Sequence, residues 1–132
     1  MIDFTTFIEP VAKARPRVTV RGGKPRAYTP KKTAQFEAAL ASNCPGPPIE
    51  GPVGMVIDIG LPIPVSWSKQ KTLDALNDRI KPTSRPDIDN YAKAVLDALD
   101  SVAYQDDSQV IALTVRLWYA ASPHVRVIAS EA

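Results

Sequence analysis

Apolar and polar positions alternate most strictly at Val53, Met55, Ile57, Ile59 and Leu61, the period-two repeat of a strand with one buried face. Residues 2–9 are rich in β-branched and aromatic side chains and predict an N-terminal strand. Two short stretches, residues 17–21 and 26–29, flank Gly22-Gly23, a dipeptide that tolerates the positive φ of a tight hairpin turn, and predict a β-ribbon. Helical spacing occurs in three places. Thr29 as cap and Pro30 as first residue open a helix whose apolar side is Ala34, Phe36, Ala38, Leu40 and Ala41, running to about Ser42. Ser68 opens a second, with Leu73, Leu76 and Ile80 spaced by three and four residues and an end before Pro82. The third has Ile88, Ala92, Val95, Leu96, Leu99 and Val102 on one side and its N-terminus near Asp87. Residues 109–119 are apolar on both faces and predict an interior strand, with residues 125–128 expected to pair with it as a hairpin around residues 121–123. No internal repeat is present. The mixed order of elements predicts an α+β domain, one domain over residues 1–132, with helices covering a single mixed β-sheet.

Composition agrees with one core: 45% of 132 residues are hydrophobic, enough to need neither disulfides nor a structural metal. Cys44 and His124 are single, which excludes an intrachain disulfide and a Cys/His zinc cluster and leaves both as structural bystanders. Proline, at 13 residues, clusters in CPGPPIEGP and LPIP, which punctuate loops and strand ends. No stretch approaches the length of a membrane span and the N-terminus lacks a signal-like pattern, so the expected setting is intracellular and cytoplasmic, with no membrane partner. No Gly-rich loop precedes a Lys-Ser/Thr pair, against nucleoside triphosphate hydrolysis.

The net charge of +2 says little; its distribution says more. Lys13, Arg15, Arg17, Arg21, Lys24, Arg26, Lys31 and Lys32 fall in one segment without a single acid, half of all Lys and Arg. Such a ribbon suits the DNA backbone, its cations meeting phosphates beside Tyr28 without reading bases; as a surface hairpin it would also be unexceptional. Residues 85–107 reverse the balance, with six aspartates against Arg85 and Lys93. Asp87 and Asp89 stand at the entrance of the third helix. Two hard oxygen donors one residue apart can share Mg²⁺, yet Asp is equally a favoured cap and first-turn residue. Asp106-Asp107-Ser108 is either further ligands or an ordinary turn. Lys93, four residues after Asp89, either pairs with it or faces a phosphate; Asn90 either orients a carboxylate or completes the cap. The helix carries the chain ~17 Å from Asp89 to Asp100, and the next seven residues can span ~23 Å. Asp107 therefore returns along the helix or completes a site on a second subunit.

The runs RPDIDN (from Arg85), KAVLDAL (from Lys93) and DDSQV (from Asp106), with KARPR and YTPKKT upstream, resemble the RusA family of Holliday junction resolvases, including phage-borne members. The resemblance implies a RusA-like fold and a homodimeric endonuclease that nicks four-way junction DNA symmetrically in recombination and repair. It further implies Mg²⁺ as cofactor, with Mn²⁺ the alternative. By position in the motif, Asp87, Asp89 and Asp107 would be catalytic metal ligands and Lys93 the catalytic lysine, with Asp106 their neighbour. Two rival readings remain at this stage: a non-catalytic module binding branched DNA, and a metal-dependent hydrolase of a small phosphate ester.

Overall fold

The computed structural model describes residues 1–13, 17–21, 24–28 and 31–132, and for 17–21 and 24–28 the backbone alone. In chain order these hold β1 (Ile2–Thr6), β2 (Arg17–Arg21), β3 (Lys24–Tyr28), α1 (Lys31–Asn43), β4 (Val53–Leu61), α2 (Lys69–Leu76), α3 (Ile88–Ala98), a 3₁₀ turn (Asp107–Gln109), β5 (Val110–Tyr119) and β6 (His124–Glu131). Four strands form one mixed sheet in the order β1-β6-β4-β5, antiparallel except between β4 and β5. The fold is α+β, as the order of elements predicts.

β4 is the hub. Its period-two side, Val53, Met55, Ile57 and Ile59, is at most 3% exposed and meets Val125, Val127 and Ala129 of β6, Phe36 and Leu40 of α1, and Tyr91, Ala94, Val95 and Ala98 of α3. Both long helices thus lie over one face of the sheet, where burial of their apolar stripes supplies most of the folding drive. The ribbon is confirmed as an antiparallel pair, β2 with β3, Arg17 opposite Tyr28 and Arg21 opposite Lys24. Its Gly22-Gly23 turn, and the Thr29-Pro30 start expected for the first helix, lie outside the described residues.

Four expectations are corrected. β5 is an edge strand, not an interior one, with Ile111, Leu113 and Trp118 exposed. β6 does not pair with β5 as a hairpin, because β4 lies between them. The short link from β5 to β6 passes over the end of β4, where Ala120 donates to the Leu61 carbonyl at 3.0 Å. Gly60 makes the crossing fit: a Cβ there would stand 2.7 Å from His124 Cε1 and 2.9 Å from the Ala120 methyl. A short connection between alternating strands reads locally as a hairpin; the insertion of β4 is a long-range event that local pattern does not encode. Ile80 lies beyond α2, which Ser68 caps by accepting from Lys71 N at 3.1 Å and which stops before Asp78, a residue in the left-handed region at φ 63°. Finally, the buried side of α3 is Tyr91, Ala92, Ala94, Val95 and Ala98, while Ile88 is 44% exposed. Ala92, Val95 and Leu99 of the expected stripe are buried, so the seam keeps its middle and gains Ala94 and Ala98, whose small side chains let the helix approach the sheet.

Candidate active site

Asp87 is the N-cap of α3 by backbone conformation, yet its side chain makes no capping hydrogen bond. The carboxylate is left uncommitted by the local role that would otherwise explain it. It opens, with Ile88, on a groove of about 610 Å³ whose other walls include Thr83, Ser84, Arg116 and Leu117. Asp89 sits exposed in the first helical turn. Its helix neighbour Lys93 turns away from it: Nζ pairs instead with Asp97 Oδ1 at 3.0 Å. That hydrogen bond foremost, and the charge of Asp107 further down the order of causes, hold the Lys93 ammonium above the ordinary lysine range.

The chain reverses just past the end of α3 but does not run back along it to Asp87 and Asp89. Leu99 ends the helix, and Ser101, with φ 62°, begins the reversal. Tyr104, fully buried, then reaches back to donate its hydroxyl to the Leu96 carbonyl at 2.7 Å. This satisfies a carbonyl that the helix end would leave unpaired, since the Asp100 N–H bonds to the Asp97 carbonyl. Gln109 fastens the far side of the turn. Its Oε1 accepts from Gln105 N at 2.8 Å and Asp106 N at 3.0 Å, and its Nε2 donates to the carbonyls of Ile49 at 3.0 Å and Gly51 at 2.8 Å. Asp106 and Gln109 close a capping box over the 3₁₀ turn.

This places Asp107 beside Asp100, whose Oδ1 accepts the Asp107 backbone N–H at 3.1 Å. Among the described residues, Asp100, Asp106 and Asp107 are the one set of three potential ligands with oxygens within 4.8 Å of one another. Their crowding is visible in proton affinity. Asp106, which accepts from Ser108, is held below the ordinary carboxylate range, and Asp107, hydrogen-bonded to Asp106, is held above it with the charge of Asp100 adding to the effect. Crowded carboxylates repel one another and suit a divalent cation, and three of them offer the hard oxygen donors that Mg²⁺ takes.

Of the acids singled out in the sequence, Asp107 joins this cluster, while Asp87 and Asp89 stand at the opposite end of α3 and belong to no such set of three. Lys93 lies between the two ends. Sequence reasoning missed Asp100, Asp97, Tyr104 and Gln109. The box Asp106-x-x-Gln109 was the one readable signal for them; Asp100 resembled an ordinary solvated helix-end residue. Of the eight basic positions, Lys31 and Lys32 are exposed at the start of α1. Lys13 is ion-paired, bridged to Glu37 at 2.6 Å and Asp97 at 3.3 Å. Arg15 and the side chains of Arg17, Arg21, Lys24 and Arg26 lie outside the described residues.

The family model for endodeoxyribonuclease RusA matches residues 8–129, nearly the whole chain, and the chain belongs to that family. It is similar to the uncharacterized protein YqaN of Bacillus subtilis (strain 168), 41% identical over 136 residues that cover 98% of this chain and 96% of that protein. No helix among the described residues is long and apolar enough to cross a membrane.

Proposed function

We propose that this chain is a divalent-metal-dependent endodeoxyribonuclease that resolves Holliday junctions by paired, symmetric nicks in recombination and repair, acting as a homodimer in the cytoplasm. The observation that carries this reading is the loop after α3, which sets the Asp107 carboxylate beside Asp100 and Asp106 at one end of the helix that carries Lys93. Asp87, Asp89 and Asp107 would hold Mg²⁺, or Mn²⁺ in its place, with Asp100 and Asp106 next to Asp107. When bound, such an ion supplies a Lewis acid and a water acidic enough to be hydroxide at neutral pH. The protein's own part is electrostatic. Lys93, kept protonated by Asp97, offers a fixed positive charge to the phosphate as negative charge develops on it. The ribbon cations Arg17, Arg21, Lys24 and Arg26, with Arg15, Lys31 and Lys32, would meet the DNA backbone.

Dimerisation has support in β5. Long, apolar, exposed edge strands without Lys or Pro are ready-made pairing sites, and β5 leaves Ile111 68% and Leu113 42% exposed. Asp107 lies the length of α3 from Asp87 and Asp89 within one chain, so the set of three would be completed across a two-fold dimer, which would present two such sites to a junction.

The test is incubation of purified protein with end-labelled mobile four-way junction and with linear duplex, in Mg²⁺ and in EDTA, mapping nicks on all strands. Paired nicks on opposing strands, requiring metal and abolished by Asp87→Asn and by Asp107→Asn, are expected. Full Mg²⁺-dependent cleavage by either variant would sink the proposed ligand set. Salt-sensitive junction binding without any nicking would leave a non-catalytic branched-DNA binder.

A further inference from the structure

The acid that Lys93 grips is itself gripped from the other side. Asp97 offers Oδ1 to Lys93 Nζ at 3.0 Å and Oδ2 to Lys13 Nζ at 3.3 Å, and Lys13 is held in turn by Glu37 of α1 at 2.6 Å. The backbone N–H of Lys13 also donates to the Asn90 carbonyl of α3 at 2.9 Å. Lys13, Glu37 and Asp97 are each about three-quarters buried, at 24%, 25% and 23% exposure, whereas Lys93 at 57% projects to solvent. Lys13 comes four residues before β2, so it stands at the root of the basic ribbon.

We infer that Asp97 is a positioning residue for Lys93 and that Lys13, clamped by Glu37, fixes Asp97, so that the root of the ribbon, α1 and the functional lysine move as one unit. This rests on the nuclease reading above for the consequence in catalysis, but not for the geometry. A flexible lysine loses efficiency by sampling rotamers, and a half-buried carboxylate at fixed distance removes that freedom before substrate arrives. Asp97 can do this because its own second oxygen is occupied: a carboxylate with one partner swings, while one bridging two cations does not. The arrangement also commits two of the three Lys13 ammonium donors to carboxylates and offsets its charge, which weakens it as a phosphate contact.

The experiment compares Asp97→Asn, Asp97→Glu, Lys13→Met and Lys13→Arg with Arg21→Ala of the ribbon and with Lys93→Met. Junction affinity is measured in EDTA, and kcat and KM in Mg²⁺. Asp97→Asn and Lys13→Met should lower kcat about 10–100-fold, leave KM and affinity within about twofold, and lower kcat no further in the Lys93→Met background. Asp97→Glu and Lys13→Arg, which retain the charges, should recover part of the loss. Arg21→Ala, by contrast, should show its loss chiefly in affinity. The inference is overturned by a wild-type kcat in Asp97→Asn, by losses that add fully to that of Lys93→Met, or by Lys13→Met weakening affinity as Arg21→Ala does. A separate readout needs no cleavage: the Lys93 Cε–Hε signal in NMR, assigned through Lys93→Arg, should move in Asp97→Asn and in Lys13→Met. An unmoved signal refutes the coupling. Absence of nicking by the wild type would refute the nuclease reading instead.

Discussion

Tyr104→Phe isolates the contact that folds the acidic loop back onto α3. The substitution keeps the buried ring and removes one oxygen, so no large cavity forms and the loss is confined to the 2.7 Å hydrogen bond to the Leu96 carbonyl. That carbonyl has no helical donor, since Asp100 N–H has turned to Asp97 at 3.4 Å, so it would be left without its partner beneath the loop. An orphaned polar group of this kind costs about 1–3 kcal/mol. For a chain of this size each kcal/mol lowers the thermal midpoint by about 3–5 °C. Denaturant titration and calorimetry of wild type and variant measure the loss directly. The pH dependence gives a second signature. Burial, reinforced by the charges of Asp100, Asp107 and Asp97, pushes the Tyr104 hydroxyl above the ordinary tyrosine range. Its folded-state pKa is raised, so its contribution is complete below about pH 10 and declines as pH rises beyond the unfolded value. Wild type should therefore lose stability in alkali more steeply than Tyr104→Phe. A loss under about 0.3 kcal/mol with parallel alkaline profiles would refute the view that this hydroxyl secures the turn.

Four further outcomes are expected. Mg²⁺ should raise the thermal midpoint more at pH 7 than at pH 4: the raised pKa of Asp107 contributes stability that is full below the ordinary carboxylate range and lost as pH rises through its folded value, and a cation offsets that loss. Calorimetry with Mg²⁺ and with EDTA across this range decides it, a pH-independent increment counting against the acidic cluster as the binding site. Asp100→Asn should cut nicking by about 10²–10³-fold and remove most of the Mg²⁺-induced stabilisation, checked by single-turnover cleavage and the same calorimetry. Gly60→Ala should cost about 1–3 kcal/mol, because its Cβ meets the His124 ring at 2.7 Å and the Ala120 methyl at 2.9 Å; His124→Ala should return part of this in a double-mutant cycle. Leu113→Lys should yield monomers in sedimentation and, if the subunits share their acids, weaken Mg²⁺ binding as well.

The sequence by itself determined the elements whose information is local. Period-two alternation defined β4 to the residue, Ser68 marked the start of α2, and the acids at the head of α3 were legible as a cluster with two readings. Family membership was legible for a related reason: RPDIDN, KAVLDAL and DDSQV each combine a backbone requirement with a charge, and such runs are specific. Whatever depends on partners distant in the chain was decided in three dimensions. That β5 would be an edge, that β4 would enter between β5 and β6, and that Lys13 would bridge Glu37 and Asp97 all follow from contacts among remote residues. The same holds for the site. Bond lengths alone left open whether Asp107 returns along α3 or serves a second subunit; Asp106 was legible as its neighbour, but Asp100 as a companion and the anchors Tyr104 and Gln109 emerge from the geometry of the reversal. Hydrophobic periodicity reports which face of an element is buried; it carries no record of which other element buries it, and both the strand order and the grouping of charges depend on that second fact.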